Sequence, residues 1–395
     1  MNKHILLGIS GGIAAYKSCE LVRLLKKQGH SVTVAMSRAA TEFVSPLTFQ
    51  ALSGNPVLAE THSGETGGNG MAHINLTREA DVFLIAPASA NTLAKIANGI
   101  ADNLLTNLAT ARKCPLAVAP AMNVEMWFNP ANLRNIAQLQ ADGIAVLPPA
   151  SGEQACGEVG VGRMPEAAEL ADLLPDLWTA KSLQGKKVLI TAGATFEAID
   201  PVRGITNLSS GQMGIALARA CRATGAEVSL IYGQLQTGIP AGLAYTEQAV
   251  SAEAMYQAVM RQVNTQDVFI SVAAVADYKV KNSSAQKIKK DGSGTPPVIE
   301  LTENPDILAS VAKLPKPPFC VGFAAESENV VEYGRAKRIK KGIPMLVAND
   351  VATAMGKPVN RIIIIDEAGE TAFPETDKQQ AAAQIVVALA AQLAK

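Results

Sequence analysis

Two successive series of short apolar strands alternate with amphipathic helices along this chain, and this repeated alternation constrains the fold most strongly. The first series opens with a strand at 4–9, a Ser-Gly-Gly turn at 10–12 and a helix at about 13–27. The second opens with a strand at 188–191 that runs into a glycine turn at 192–194. Such alternation predicts parallel sheets covered by helices on both faces. We therefore expect an α/β chain with two Rossmann-like domains.

A polar segment at 181–187 separates the two series and marks the predicted domain boundary. A chain of 395 residues is long enough for two or three domains, each with its own core. We predict one domain over 1–184 and a second over 185–395. The polar segment 281–297 is predicted to be a mobile loop. Further elements are predicted as strands at 31–36, 81–86, 115–119, 227–232, 267–272, 319–323, 344–348 and 361–365, and as helices at 165–180 and 211–225.

Charge and hydropathy exclude several classes of function. The 35 Lys and Arg residues balance 35 Asp and Glu residues, so the basic excess of a nucleic-acid-binding protein is missing. No apolar run reaches the roughly 18 residues that span a bilayer, and the segment 4–9 is too short for a signal-peptide core. Five scattered cysteines without C-x-x-C spacing fit a reduced protein without structural zinc. We expect a cytoplasmic protein with no membrane or nucleic-acid partner.

Two turns in the N-terminal half have the residue types that hold a phosphate. Ser10, Gly11 and Gly12 lie between a strand and a helix, where N–H groups at the helix start and the Ser10 hydroxyl can bind an anion. The segment 86–92 supplies hydroxyls at a second helix start. The first turn lacks the G-x-G-x-x-G dinucleotide fingerprint, so the single phosphate of FMN fits it better. Each turn alone is explained equally well by ordinary backbone geometry.

Three residues of this half are candidates for catalysis. His73 follows a glycine-rich segment at 64–70, and Asn123 lies in the unusual segment 120–127. Cys156 has four glycines around it between 152 and 162, which suit a loop that closes over a ligand. Taken singly, the three residues also fit a structural histidine, a turn-capping amide and a buried inert thiol.

Five blocks of the N-terminal half resemble, in order, the flavin-dependent phosphopantothenoylcysteine decarboxylases. They are G-I-S-G-G-I-A-A-Y-K (8–17), A-H-I-N-L (72–76), A-P-A-S-A-N-T (86–92), P-A-M-N-V-E-M-W (120–127) and Q-A-C-G-E-V-G-V-G-R-M (154–164). The last two blocks distinguish this family from flavin prenyltransferases of similar fold. The resemblance implies a flavodoxin-like domain whose FMN is bound by Ser10, Gly11, Gly12, Ser37, Ser89, Asn91 and Thr92.

The same resemblance implies the chemistry. Loss of CO₂ from an acylated cysteine leaves a carbanion without an electron sink, so a cofactor must provide one. FMN oxidises the substrate thiol to a thioaldehyde, which accepts the electrons as CO₂ departs, and the enethiol is then protonated and reduced by the same flavin. His73 is the implied base. Asn123 orients the substrate carboxylate, and Cys156 donates a proton, since a thiol with a reference pKa of about 8.5 is mostly protonated at neutral pH.

The C-terminal half contains a second set of candidate binding residues. A phosphate-type turn at 191–195 is followed by Arg203 and Asn207, which are expected to converge on it. Ser209 or Ser210 is expected to cap the next helix. Lysines at 287 and 289 lie in the polar loop, and Lys337 and Lys341 share one helix face while Asp277 follows a strand. Charge clusters of this kind are most often solvated surface, but this chain carries few charges.

These blocks, with E-N-P-D (303–306), G-F-A-A-E (322–326) and A-N-D (348–350), resemble the phosphopantothenate–cysteine ligases. The whole chain thus resembles the bifunctional coenzyme A biosynthesis proteins. One departure is Gly204, where the family more often has an aromatic residue, so the local packing there stays open. The resemblance implies ligation of 4′-phosphopantothenate with cysteine through an acyl-cytidylate made from CTP. Decarboxylation of the product then gives 4′-phosphopantetheine.

The implied ligase site contains both catalytic and nucleotide-binding residues. Asn207 and Arg203 are expected to hold the acyl-cytidylate, and Lys289 to stabilise charge during transfer. Mg²⁺ or Mn²⁺ is expected to be held mainly by the CTP phosphates, with Asp277 as a candidate ligand. Trimers of the flavin half and dimers of the ligase half are implied, which a dodecamer would combine. The residues expected to bind CTP are Asp277, Lys287, Lys289, Asn304, Pro305, Asp306, Ile307, Phe323, Lys337 and Lys341.

Two other classes of function fit parts of the pattern. A two-domain nicotinamide oxidoreductase would also have two Rossmann-like halves, although the missing G-x-G-x-x-G argues against it. A non-catalytic flavoprotein that binds a partner would be free to lose Cys156 or Lys289, and this chain has both.

Overall fold

A computed structural model of the protein describes residues 2–59, 72–289, 296–326, 328–350 and 359–394, with residues 72–74 and 350 described by their backbone only. The chain forms two compact units, Met1–Thr179 and Ala180–Lys395. In the described part of the chain, no helix combines the length and apolar character needed to cross a membrane.

Unit 1 is built on a six-stranded parallel sheet with helices between the strands. Its strands are β1 (His4–Ile9), β2 (Ser31–Met36), β3 (Leu58–Ala59), β4 (Val82–Ala88), β5 (Leu116–Pro120) and β6 (Ala145–Val146). A separate hairpin pairs β7 (Ala150–Glu153) with β8 (Val159–Arg163). Its helices are α1 (Lys17–Lys27), α2 (Pro46–Ser53), α3 (Ala72–Glu79), α4 (Ala90–Ala97), α5 (Leu104–Ala111), α6 (Val124–Phe128), α7 (Pro130–Ala141) and α8 (Ala167–Leu173).

The order of strands in this sheet is β3-β2-β1-β4-β5-β6, so the chain reverses its direction of travel between β1 and β4. Both strands are almost wholly buried, as expected for strands covered on two faces. In an open α/β sheet, ligands bind at the carboxyl ends of the strands beside such a reversal. The fold therefore directs attention to the turns that follow β1 and β4.

The predicted strands of unit 1 are confirmed within two residues of their expected bounds. The predicted helix over 165–180 is wrong in its extent. The α-helix ends at Leu173 and a 3-10 helix follows at Leu174–Leu177. Pro175 explains the change, because a proline inside an α-helix has no N–H to donate and its ring clashes with the preceding turn.

Unit 2 is built on an eight-stranded sheet. Its strands are β9 (Lys187–Ala192), β12 (Glu227–Tyr232), β13 (Tyr245–Gln248), β14 (Val268–Ser271), β17 (Phe319–Glu326), β18 (Met345–Asp350), β20 (Ile362–Ile365) and β21 (Glu370–Ala372). Short antiparallel pairs join β10 (Phe196–Ala198) to β11 (Gly204–Thr206), β15 (Tyr278–Val280) to β16 (Leu301–Glu303) and β19 (Val359–Asn360) to β22 (Thr376–Asp377). Its helices are α9 (Gln212–Ala223), α10 (Ala252–Gln262), α11 (Ile307–Ala312), α12 (Val330–Lys341) and α13 (Lys378–Leu393).

The strand order of this second sheet is β13-β12-β9-β14-β17-β18-β20-β21. The first six strands are parallel, which confirms the predicted arrangement. At the far edge, β20 pairs antiparallel with β18 and β21 pairs antiparallel with β20, so the sheet departs there from the expected parallel pairing, and a tight turn after Ile365 joins β20 to β21. Helices α9 and α13 pack on one face of the sheet, and α10 and α11 pack on the other.

Close packing of α9 on the sheet depends on Gly214. A Cβ added there would lie 2.5 Å from the Cβ of Ala192, the last residue of β9. We expect Gly214→Ala to push the helix outward, with a clash that outweighs the roughly 1 kcal/mol by which alanine favours a helix over glycine. The net loss of unfolding free energy should be about 1 kcal/mol or more. Calorimetric unfolding of the full chain measures it.

The matched control is Gly334→Ala in α12. There the nearest atom to an added Cβ is the flexible end of Ile365, at 2.7 Å, which can rotate away. Equal stability changes in the two variants would show that the α9–β9 contact is not the tight one.

Candidate active sites

One cavity of about 680 Å³ lies in unit 1 and brings together three motifs that are distant in sequence. The turn after β1, the segment after β5 and the hairpin β7–β8 form its walls. Its size is in the range of small-molecule and cofactor sites. Residues lining it include Gly12, Ile13, Tyr16, Lys17, Met122, Asn123, Gln154, Cys156, Gly162 and Met164.

The hairpin packs directly on the segment after β5. The N–H of Met122 donates to the carbonyl of Gly162 over 2.9 Å, and the N–H of Val124 donates to Oε1 of Gln154 over 3.0 Å. A Cβ at Gly162 would lie 2.3 Å from the carbonyl oxygen of Met122, and φ of Gly162 is 145°. A Cβ at Gly160 would lie 2.7 Å from a methyl group of Val124. The glycines predicted to serve a closing loop therefore permit close contact between two backbones.

Asn123 and Cys156 meet at a third side chain, Glu158. The Asn123 carbonyl oxygen caps α6 by accepting from the N–H of Met126 at 2.9 Å, so the capping interpretation of this residue is confirmed. The cap also fixes the amide, whose Nδ2 donates to Oε2 of Glu158 at 3.0 Å. The Cys156 thiol donates to the same oxygen over 3.6 Å. Sequence reasoning missed Glu158, although it stands two residues after Cys156 in the same block.

The surroundings of the cysteines differ sharply. Cys156 is exposed, which rules out the interpretation of a buried inert thiol. Cys221 and Cys320 are buried, and burial raises the pKa of each thiol to about 12. Such thiols are unreactive at neutral pH. Cys156 is therefore accessible to a ligand in the cavity, as these two buried thiols are not.

The turn after β1 has a different use for Ser10 than expected. Its hydroxyl is buried, donates to the carbonyl of Pro87 at 2.8 Å and accepts from the N–H of Ser89 at 2.8 Å. It joins the ends of β1 and β4 rather than leaving its hydrogen for a phosphate. Gly11 lies so close to Ala39 that a Cβ would come within 2.5 Å, whereas a Cβ at Gly12 would meet open space.

The other expected flavin ligands lie at helix starts. Ser37 accepts from the N–H of Ala40, and Ser89 caps α4 by accepting from the N–H of Thr92. Asn91 is exposed on the first turn of α4. The glycine turn at the carboxyl end of β1 lies beside hydroxyl groups at a helix start and beside the 680 Å³ cavity. This arrangement fits a flavin that carries a phosphate.

His73 lies in α3, but its side chain is outside the described residues, as is the segment 64–70. Lys17 was not singled out from the sequence. Its Nζ donates to the carbonyl of Met164 at 3.2 Å and to Glu166 at 2.6 Å, so it fastens α1 to the segment that follows the hairpin.

In unit 2, side-chain hydroxyl and amide groups form hydrogen bonds with the backbone of the loop after β14. Thr195 Oγ1 accepts from the N–H of Ala276 at 3.0 Å, and Asn207 donates to the carbonyl of Ala274 at 3.0 Å. Asn304 donates to the carbonyl of Ala276 at 2.9 Å, and its own N–H donates to the carbonyl of Asp277. Asn207 therefore lies at the predicted phosphate-type turn.

Arg203 does not converge on that turn with Asn207, which corrects the expectation. Its guanidinium pairs with the buried carboxylate of Asp200 and also donates to the carbonyl of Ile288 at 2.9 Å. Asp200 accepts from the N–H of Ile288 at 3.1 Å. The hydrogen bond from Arg203, aided by backbone N–H groups, holds the pKa of Asp200 well below its usual range. Ile288 lies between Lys287 and Lys289, which are both exposed. The Asp200–Arg203 ion pair therefore anchors the segment that carries these lysines.

The expected lysine pair on α12 is confirmed as one group with Asp306. Lys337 is half-buried and donates to the carbonyl of Phe323 at 2.9 Å, and its partial burial lowers its pKa. Lys341 pairs with Asp306, which also caps α11 by accepting from the N–H of Ala309. Burial acts to raise the pKa of Asp306, but the hydrogen bonds from Lys341 and Ala309 outweigh it and the pKa is lowered.

One local expectation is corrected, and one question of packing that the sequence left open is answered. The N-cap of α9 is Gly211 at φ 75°, without a side-chain cap, because Ser209 accepts from the N–H of Gly211 one position too early. At Gly204, the ring of Phe196 from the paired strand fills the space, and a Cβ would lie 2.3 Å from it. At this departure from the family pattern, the Phe196 ring of β10 therefore occupies the space beside Gly204.

The remaining expected nucleotide residues lie at the start of α11 and in the loop after β14. Pro305 precedes α11, whose first residue, Ile307, is buried, and Asp277 is exposed. Across the described ranges, His, Cys, Asp and Glu side chains form no cluster of three or more that could hold a metal ion.

Comparison with known proteins defines the class first. Residues 1–178 match the family model "Flavoprotein", and residues 183–393 match "DNA/pantothenate metabolism flavoprotein C-terminal domain". The chain is thus a flavoprotein with a pantothenate-metabolism domain.

Relatives over most of the chain identify the particular family. The chain is 49% identical to a coenzyme A biosynthesis bifunctional protein CoaBC of Vibrio parahaemolyticus, over 89% of this chain and 88% of the relative. It is 42% identical to that of Escherichia coli K12, over 89% and 86%. The solved C-terminal domain of a CoaBC is 37% identical, with a TM-score of 0.47 over 54% of this chain and 98% of that domain.

The chain belongs to the family of bifunctional coenzyme A biosynthesis proteins. It is an enzyme with phosphopantothenoylcysteine decarboxylase and phosphopantothenate–cysteine ligase activities. The family assignment confirms the resemblance drawn from the motifs and sets aside the nicotinamide oxidoreductase and the non-catalytic flavoprotein.

Docking of the hairpin gives a first test of the cavity. We expect Gly162→Ala to separate β8 from the Met122 carbonyl and to lower decarboxylase turnover about ten- to hundredfold, since small misplacements of reacting groups are costly. Ligase activity in the same chain should not change. Gly99→Ala, also at positive φ but with nothing within 4 Å of the added Cβ, is the control. Normal decarboxylation by Gly162→Ala would separate the hairpin contact from catalysis.

Proposed function

We propose that unit 1 carries the FMN-dependent decarboxylase, over about 1–184, and that unit 2 carries the CTP-dependent ligase, over about 185–395. One observation carries the first assignment most strongly. An exposed thiol and a fixed amide meet at the mouth of a cavity that also contains a side-chain-free phosphate turn. Among the described residues of unit 2, the cysteines are Cys221 and Cys320, and both are buried.

In the decarboxylase, bound FMN would supply the electron sink for the carbanion that remains when CO₂ departs. Gly11 and Gly12 provide backbone N–H groups toward its phosphate, with Ser37, Ser89, Asn91 and Thr92 as the surrounding polar contacts and Ser10 as the tie that shapes the turn. The position of the turn at the strand ends supports these assignments.

Asn123, Cys156 and His73 perform the chemistry on the substrate. The Asn123 amide is held by its cap with Nδ2 directed away from α6, and we assign it to the substrate carboxylate. The Cys156 thiol delivers a proton to the enethiol, and His73 accepts the proton of the substrate thiol at the start of the cycle.

In the ligase, 4′-phosphopantothenate and CTP give an acyl-cytidylate and pyrophosphate, and the amine of cysteine then displaces CMP. Lys289 stabilises the charge on the phosphate. Asn207 binds the acyl-cytidylate, and Arg203 acts by placing the Lys287–Lys289 segment through Asp200 and Ile288.

Lys337 and Lys341 form the cationic face of the nucleotide site. Mg²⁺ or Mn²⁺ is carried mainly by the CTP phosphates, with Asp277 as the nearest candidate ligand. Asn304, Pro305, Asp306, Ile307 and Phe323 complete the site beside these lysines.

Exposed apolar side chains and free cysteines support the proposed assembly and location. Exposed apolar side chains near the unit 1 cavity, Ile13, Tyr16, Met126, Phe128 and Val159, support contacts between copies of this unit. We assign trimers to the flavin half and dimers to the ligase half, compatible with a dodecamer. Free cysteines throughout the described residues support a reducing, cytoplasmic setting.

The direct test is incubation of the purified protein with 4′-phosphopantothenate, cysteine, CTP and Mg²⁺, followed by mass spectrometry. We expect CMP, pyrophosphate, CO₂ and 4′-phosphopantetheine. ATP in place of CTP should give little product, and equal use of both nucleotides would contradict the CTP assignment.

Lys289 provides a specific test of the ligase site. We expect Lys289→Gln to slow amide formation about 10²–10³-fold, because a positive charge is lost where phosphate charge develops. Its side chain is exposed, so the fold and the decarboxylase should be unaffected. Lys281→Gln, which removes an exposed lysine paired with Glu300 from the same polar segment, is the control. Near-normal ligation by Lys289→Gln would remove this lysine from the site.

The decarboxylase roles are separated by anaerobic flavin absorbance. Cys156→Ser should oxidise and decarboxylate one equivalent of substrate, bleach the flavin and accumulate the enethiol, because a hydroxyl is a poor proton donor at neutral pH. His73→Asn should leave the flavin oxidised with substrate present. Cys114→Ser, at a half-buried thiol outside the cavity, should behave as the unmodified protein. Sustained turnover by Cys156→Ser would assign the proton to another group.

A further inference from the structure

Glu158 contacts two functional residues of the unit 1 site, Asn123 and Cys156, but no step of the proposed function uses it. It lies in the turn between β7 and β8, which is closed by the N–H of Gln154 donating to the carbonyl of Glu158 over 2.7 Å. The same turn carries Cys156. Cys156 lines the cavity, and the Glu158 side chain contacts both Cys156 and Asn123, which also lines it.

One oxygen of Glu158 holds both functional groups of the site. Oε2 accepts from Nδ2 of Asn123 at 3.0 Å and from the Cys156 thiol at 3.6 Å. The amide of Asn123 has no freedom to turn over, because its Oδ1 accepts from the N–H of Met126. A carboxylate therefore already occupies the donor that the proposed function assigns to the carboxylate of the substrate.

A second carboxylate cannot join the first at low cost. Nδ2 of an asparagine carries two hydrogens, but two carboxylates on one amide group would bring two negative charges within a few ångströms. The neighbouring side chain that also reaches this turn, Gln154, is neutral and is engaged by the N–H of Val124. Substrate binding must therefore move the Glu158 carboxylate away from Asn123.

We propose that Glu158 is an internal stand-in for the substrate carboxylate, displaced from Asn123 when substrate binds and returned to it when CO₂ has left. The inference rests on the proposed role of Asn123. Because the same oxygen accepts from the thiol, displacement also separates Glu158 from Cys156 while the substrate carboxylate is bound, and it leaves Oε1 of Gln154, 3.9 Å from the thiol sulfur, as the neighbouring acceptor. Glu158 thus keeps the Asn123 amide paired whenever no substrate carboxylate is present, so substrate binding includes the cost of displacing it, whereas the decarboxylated product does not compete for Asn123.

The test compares a ligand that has the carboxylate with one that lacks it. In Glu158→Gln, which keeps the length and an acceptor oxygen but removes the charge, the KM for phosphopantothenoylcysteine should fall about three- to tenfold, the worth of one displaced hydrogen bond. The inhibition constant of 4′-phosphopantetheine should stay within twofold of its original value. Glu158→Ala should shift both constants in the same way, and Glu158→Asp less.

Two further variants make the outcomes distinct. Glu125→Gln removes an exposed carboxylate from the first turn of α6, two residues after Asn123 and with no hydrogen bond to Cys156, and should change neither constant. Asn123→Ala should weaken binding of the substrate and leave binding of the product unchanged. If it does so while Glu158→Gln changes substrate and product together, or changes neither, Glu158 is not a stand-in. If Asn123→Ala itself shows no preference between the two ligands, the assignment of Asn123 fails instead.

Discussion

Buried hydroxyl groups at the end of the first strand of each sheet fix the loop that follows the neighbouring strand. In unit 1, Ser10 joins the carbonyl of Pro87 to the N–H of Ser89, across the β1–β4 pair. In unit 2, Thr195 accepts from the N–H of Ala276, across the β9–β14 pair. Buried polar groups must be paired, so these ties set the separation of the strand ends where ligands bind. Both candidate sites depend on this constraint.

The two sites are completed by segments that are anchored in different ways. In unit 1, glycines allow the β7–β8 hairpin to lie on the backbone of the segment after β5, and the thiol travels with that hairpin. In unit 2, the buried Asp200 carboxylate and Arg203 bracket Ile288. Close backbone contact through glycines suits a segment that closes over its ligand, as proposed for the β7–β8 hairpin. Charge-assisted hydrogen bonds suit a segment that must be held in place, such as the one around Ile288.

Much of the fold was predictable from the sequence because buried strands are recorded locally as apolar runs. The strands β1, β2 and β12 have their predicted bounds, and the Lys337–Lys341 face follows from helical spacing alone. Where prediction failed, a single residue or a distant contact decided. Pro175 ended a helix early, and Gly211 replaced the expected serine cap. Glu158 and Asp200 could not be singled out, because their roles arise from partners that only the folded chain brings to them.

The central claim is that flavin chemistry belongs to unit 1 alone. Visible absorbance of the separately purified fragments 1–179 and 180–395, cut where the structure divides, tests it most directly. The account predicts that the first fragment copurifies with FMN and is bleached by phosphopantothenoylcysteine without oxygen, while the second is colourless. Flavin bound to fragment 180–395, or a folded fragment 1–179 that neither binds FMN nor responds to substrate when FMN is added, would contradict it.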